Sequence, residues 1–145
     1  MSRLAVITGG TRGIGAAICK EFKKNGYEVA AIYAYEEEAA IEFGKKNDLS
    51  IYKCDVSDIS ACRKAVEDIT KDFGKAPEIL VNNAGIIKDC VLHKMQDSAW
   101  HDVIKVNLDS CYNMCRSVIS QMRENNFGRI ISISSINALA GQFGQ

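Results

Sequence analysis

An α/β fold built on a doubly wound parallel sheet is the architecture this chain predicts, and three observations carry the expectation. Short apolar runs alternate five times with segments of helical periodicity, the pattern of a parallel sheet covered by helices on both faces. The first apolar run ends in a Gly-rich turn that opens directly into a helical pattern. The 145 residues, 47% apolar and 25% charged, suit one domain with its own core and leave no room for a separate substrate domain.

Arg3 to Ile7 reads as the first strand, and Ile14, Ala17, Ile18, Glu21 and Phe22 then recur at helical spacing. Val29 to Tyr33 is a second strand, followed by a polar helix from Glu36 to Lys46 with Ala39, Ala40 and Phe43 turned inward. Ser50 to Cys54 is a third strand. Ile59, Cys62, Val66, Ile69 and Phe73 step by three and four along an amphipathic helix that Ser57 or Asp58 can cap. The lone proline, Pro77, precedes a fourth strand from Ile79 to Val81. A long helical region from about Asp97 to Glu124 carries a stripe of Leu108, Cys111, Cys115, Ile119 and Met122, and Gly128 ends it. Arg129 to Ser134 is the fifth strand, and Ile136 to Gln145 reads as a loop.

Composition excludes several functions. Eighteen Lys plus Arg balance eighteen Asp plus Glu, so no broad basic field exists to hold nucleic acid or an anionic membrane. No apolar run reaches the roughly 18 residues of a membrane span, and the start lacks a secretory apolar region, so a cytoplasmic protein is expected. Six cysteines in a chain this apolar read as reduced thiols rather than a disulfide framework. Cys111 and Cys115 are four apart, but neither His93 nor His101 stands at a zinc-like spacing from them, so core packing is preferred and no metal is expected.

Chemistry concentrates at the strand ends, because a doubly wound sheet takes its ligand outside the carboxyl ends of its strands. Thr8-Gly9-Gly10-Thr11-Arg12-Gly13-Ile14-Gly15 is a turn that bares backbone N–H groups, and the positive end of the following helix favours an anion such as a pyrophosphate. A P-loop is a poor alternative, since no Gly-Lys-Ser or Gly-Lys-Thr follows.

The spacing of Gly9, Gly13 and Gly15 is similar to the T-G-x-x-x-G-x-G of the short-chain dehydrogenase/reductase family, and Asn82-Asn83-Ala84-Gly85 resembles its N-N-A-G. Cys54-Asp55-Val56, Asn107 and Ser134-Ser135 extend the resemblance over the whole chain. Within the family, Gly128-Arg129-Ile130, Ser134 to Asn137 and Gly141 to Gln145 are most similar to the branch that reduces 3-oxoacyl thioesters. The resemblance implies a single Rossmann-like domain over residues 1–145 comprising the first five strands of the family sheet, a small-molecule acyl thioester as substrate, and a homo-oligomer. It implies that Gly9, Gly13 and Gly15 line the pyrophosphate with Thr11 in the same cofactor-binding turn, and that Ile14 lies at the nicotinamide end. Asp55 and Val56 would hold the adenine, and Asn82, Ala84 and Gly85 would lie along the adenosine ribose. Asn107 would be the active-site asparagine and Ser135 the catalytic serine, donating to the substrate carbonyl oxygen.

The choice of cofactor has a physical argument. Dinucleotide sites that take NAD place a carboxylate at the end of the second strand to bond the ribose 2′-OH; here Tyr33 stands there, with Ala34 and Tyr35 next. Arg12 in the Gly-rich turn can bond a 2′-phosphate through its planar fork, so NADP(H) is expected, although Glu36, Glu37 and Glu38 weaken the local field.

The family's catalytic Tyr, and the Lys four residues after it, would fall beyond Gln145. None of Tyr27, Tyr33, Tyr35, Tyr52 and Tyr112 is followed by Lys at that spacing. The expectation is therefore a chain incomplete relative to the family and inactive by itself, with a bare fifth strand carrying Ile131 and Ile133 at the sheet edge.

Overall fold

The computed structural model describes residues 2–145. Five strands, β1 (Leu4–Thr8), β2 (Glu28–Tyr33), β3 (Ser50–Lys53), β4 (Ile79–Asn82) and β5 (Arg129–Ser132), form one parallel sheet in the order β3-β2-β1-β4-β5. The crossovers are α1 (Gly13–Lys24), α2 (Glu37–Asn47), α3 (Ile59–Phe73), then α4 (Asp97–Ile104) running through a π-helical turn (Lys105–Asp109) into α5 (Ser110–Glu124).

Strand alternation decides which residues meet which helices. Leu4, Val6, Ala30, Ile32 and Leu80 point to one face, where they pack with Cys62, Val66 and Ile69 of α3 and Met114, Val118 and Met122 of α5. Ala5, Ile7, Val29, Ala31, Ile79 and Val81 point to the other, against Cys19, Ile18 and Phe22 of α1 and Phe43 of α2. The central strands are buried on both faces and therefore read as unbroken apolar runs. Asp58 caps α3, its Oδ1 accepting from the N–H groups of Ser60 (2.7 Å) and Ala61 (3.3 Å).

Four details differ from the sequence expectation. The long helical region is interrupted by the π-helical turn, which puts Ser110, Asn113, Met114, Val118 and Met122 on the buried face. Leu108 is exposed, and Cys111, Cys115 and Ile119 sit half-buried on the flank. In α2 the inward residues are Ala40, Gly44 and Phe43, while Ala39 faces solvent. The fifth strand ends at Ser132, and the segment expected as loop contains a single helical turn, α6 (Asn137–Ala140). As expected, β5 is an edge: Ile130, Ile131 and Ile133 are 40–45% exposed. Among the described residues no helix is long and apolar enough to cross a membrane.

Candidate functional site

From β1 the chain winds outward through β2 and β3, then returns past β1 to lay down β4 and β5. Helices therefore leave the carboxyl ends of β1 and β4 toward opposite faces of the sheet, and a crevice opens between them. It is a cleft of about 760 Å³ lined by the Gly-rich turn, the segments after β2, β3 and β4, and the start of the π-helical turn.

Its floor is the turn after β1. Gly9 and Gly13 take left-handed φ values of 62° and 52°, where an L side chain is strained. The glycines serve different ends. A Cβ on Gly9 would lie 3.0 Å from Asn83 Nδ2, and one on Gly15 would lie 2.1 Å from the Gly9 carbonyl oxygen, so both make close contacts within the fold. A Cβ on Gly13 would meet nothing within 4 Å, and Gly13 stands on the cleft wall. Gly15 is buried beneath that wall rather than on it. The N-terminus of α1 has no side-chain cap and no acidic residue in its first turn, which leaves its N–H groups and its positive dipole end for a ligand. Thr11 and the exposed Ile14 line the same surface.

A hydrogen-bonded seam fixes this floor to β4. The Thr8 hydroxyl accepts from the backbone N–H groups of Asn83 (2.9 Å) and Ala84 (3.0 Å), and Asn83 Nδ2 donates to the carbonyl oxygens of Thr8 (2.9 Å) and Gly9 (3.3 Å). Of the N-N-A-G residues, Asn83, Ala84 and Gly85 border the cleft. Asn82 is buried in β4 and does not; its Nδ2 approaches Cys115 Sγ at 3.6 Å and its Oδ1 finds no partner among the described residues.

Asp55 and Val56, which the family resemblance assigns to the adenine, border the cleft after β3. Asp55 Oδ1 accepts from the Ser57 N–H at 2.9 Å, and the Val56 carbonyl oxygen accepts from Asn113 Nδ2 at 3.0 Å, so α5 holds this loop in place. On the opposite side Asn107, in the π-helical turn, accepts from the Ile86 N–H (2.8 Å) and donates to the Ile86 carbonyl oxygen (2.9 Å). Both its polar atoms are thus spent on the segment after β4. Ser135 is exposed beyond β5 and accepts from the Asn137 N–H at 3.2 Å; it is not among the residues bordering the cleft.

Charge gathers at the mouth, which Tyr33, Ala34, Tyr35 and Glu36 border. Arg12 Nη1 pairs with Glu36 Oε1 at 3.1 Å, so the guanidinium expected to face a phosphate already has a carboxylate beside it. Lys88 and Asp102 pair at 2.5 Å on the rim, and the ammonium holds the Asp102 carboxyl below its ordinary value. All six cysteines are free thiols.

Thr8, Asn83 and Asn113 were not singled out by sequence reasoning. Asn83 sits within the N-N-A-G motif, but the side chain that reaches the turn is the second asparagine, and strand alternation alone decides that. Asn113 carries no signal, because a polar residue on an amphipathic helix reads as solvent-facing.

The arrangement presents backbone N–H groups at one helix N-terminus, an apolar and carboxylate-bearing shelf after β3, and a cation at the mouth. That is a surface suited to an elongated ligand with an anionic centre. The family model for short chain dehydrogenases matches residues 3–145. An acetoacetyl-CoA reductase of Shinella zoogloeoides is 48% identical over 145 residues, all of this chain and 60% of the relative. One from Paracoccus denitrificans is 45% identical over 137 residues, 94% of this chain and 56% of the relative. A 3-oxoacyl-[acyl-carrier-protein] reductase of Haemophilus influenzae is 36% identical over 146 residues, 99% of this chain and 59% of the relative. The chain thus spans about 60% of the length of the curated relatives it matches.

Proposed function

The chain belongs to the short-chain dehydrogenase family, and on that premise we propose that its cleft holds NADP(H) and serves the reduction of a 3-oxoacyl thioester, such as acetoacetyl-CoA, to the 3-hydroxyacyl thioester. The observation that carries this reading is the floor of the cleft. A left-handed Gly13 with open space in front of it leads into an uncapped α1, a cradle that fits a diphosphate and that a side chain would fill. When bound, the nicotinamide supplies the hydride. Gly9, Thr11, Gly13 and Ile14 hold the diphosphate and its flank; Asp55 and Val56 hold the adenine; Ala84 and Gly85 border the ribose. Arg12 bonds the 2′-phosphate, and at the end of β2 Tyr33 stands where a carboxylate would bond a free ribose 2′-OH. Asn107 keeps the segment after β4 in place, and Ser135 donates to the substrate carbonyl oxygen.

The relatives' printed names guide the choice of thioester. Free cysteines fit a reducing cytoplasm, and exposed Trp100, Leu108 and Tyr112 offer apolar surface for a homo-oligomer. A second reading has one observation in its favour. These 145 residues hold no Tyr with a Lys four positions later, and a positioned general acid contributes about 10²- to 10⁴-fold to rate. By themselves they then form a dinucleotide-binding module without turnover.

Titration of the 145-residue chain with NADPH, followed by fluorescence, and an assay with acetoacetyl-CoA test both readings. Saturable binding is expected, with turnover depressed by at least about 10²-fold relative to a full-length relative. Robust turnover would refute the module reading, and absence of any binding would refute the assignment of the cleft.

A further inference from the structure

We infer that Glu36 is a specificity-determining residue that competes with the cofactor's 2′-phosphate for Arg12, so that the Arg12–Glu36 pair forms a latch across the mouth of the cleft. The inference rests on the NADP(H) reading above and adds a second residue to it, of opposite sign.

The two partners come from different walls. Arg12 is the last residue before α1 and Glu36 the last before α2, and their side chains meet at 3.1 Å where both border the cleft. Glu36 is delivered there by a left-handed backbone, φ 58° and ψ 54°, a conformation that non-glycine residues seldom take. The neighbouring Glu37 is turned away, its carboxylate paired with Lys53 at the end of β3 at 2.6 Å. Of the two adjacent carboxylates, one therefore faces the cleft and the other the sheet edge.

The consequence is electrostatic. With Glu36 beside it, Arg12 presents little net charge to an approaching dianion, and the carboxylate repels the phosphate that the guanidinium attracts. A ribose bearing a free 2′-OH meets no such opposition, because a carboxylate accepts readily from a hydroxyl. Glu36 thereby narrows the preference for the 2′-phosphorylated cofactor that Arg12 creates. Both side chains are largely exposed, 72% and 61%, so the pair is screened and opens at small cost.

Adenosine 2′,5′-bisphosphate and 5′-AMP are the probes, since they differ by the 2′-phosphate alone and need only the adenosine end of the cleft. The readout is the ratio of their dissociation constants on the 145-residue chain, with circular dichroism verifying the fold of each variant. Glu36→Gln is expected to raise the preference for the bisphosphate about two- to fivefold, the range of an exposed ion pair, and Glu36→Lys further. Arg12→Ala is expected to lower it toward parity. If Arg12→Ala lowers the preference but neither Glu36 variant raises it, the latch is wrong and the NADP(H) reading stands. If Arg12→Ala leaves the ratio unchanged, the 2′-phosphate assignment falls and the latch with it. Failure of both probes to saturate the unsubstituted chain overturns the reading of the cleft itself.

Discussion

At the scale of single residues, the Gly-rich turn separates two demands that one motif encodes together. Gly15 answers to packing, because any Cβ there would collide with the Gly9 carbonyl oxygen, whereas Gly13 answers to backbone conformation and to the space in front of it. Their alanine variants should therefore fail differently. Gly15→Ala should lower the unfolding free energy by about 1–3 kcal/mol, the usual cost of overpacking. Gly13→Ala should cost only about 1–2 kcal/mol of left-handed strain but weaken nucleotide binding more than its stability loss explains. Chemical denaturation alongside nucleotide titration distinguishes them; equal effects of both variants on both readouts would remove the distinction. The glycines were legible in the sequence as a set, but their division of labour was not, since it depends on which atoms β4 brings to the turn. The same holds for the paired asparagines. Asn82 and Asn83 are chemically identical in the sequence, and strand alternation sends the first toward Cys115 and the second to Thr8 and Gly9.

At the scale of elements, β1 to β4 and α1 to α3 follow from periodicity and turn chemistry, down to the Asp58 cap. The region from α4 to α5 does not. One π-helical turn widens the helix by a residue and rotates everything after it, so a stripe counted through Leu108 at uniform helical spacing misses the face that is buried. The buried face also includes Ser110 and Asn113, which hydropathy assigns to solvent, and Asn113 is inside because it holds the loop after β3. The segment after β4 is tied to α4 by the Lys88–Asp102 pair and to the π-helical turn by Asn107. This tie has a pH signature. The folded Asp102 carboxyl lies below its ordinary value of 3.8, chiefly through its hydrogen bond with Lys88, so its contribution is present above that value and lost as pH falls through the lowered one. Lys88→Met should therefore show a lower urea midpoint than the unsubstituted chain near neutral pH, and the gap should close as the solution is acidified through the lowered Asp102 titration. A gap that persists undiminished in acid would show that the ammonium acts through packing instead.

At the scale of the whole molecule, the sheet is covered on both faces in its centre and bare at β5. The edge carries Ile130, Ile131 and Ile133, and exposed Ile136, Leu139 and Phe143 follow it. An apolar edge with open N–H and C=O groups is a template for another strand. The 145-residue chain should therefore self-associate with rising concentration, and Ile131→Lys should reduce that association in light scattering while leaving nucleotide affinity within about twofold. A monomer of unchanged mass across the concentration range would contradict this. That β5 stands outermost among these five strands was legible, because a doubly wound order carries the fourth and fifth strand signals outward past β1. The opposite condition holds at the centre, where Thr8 and Asn83 join β1 to β4. The two banks of the crevice are stitched together by the same bonds that complete the fold, so the entropy of arranging them is spent before any guest arrives. An incoming molecule meets a mould that is already set, and its residence there is governed by how well it matches that mould rather than by what it must first put in order.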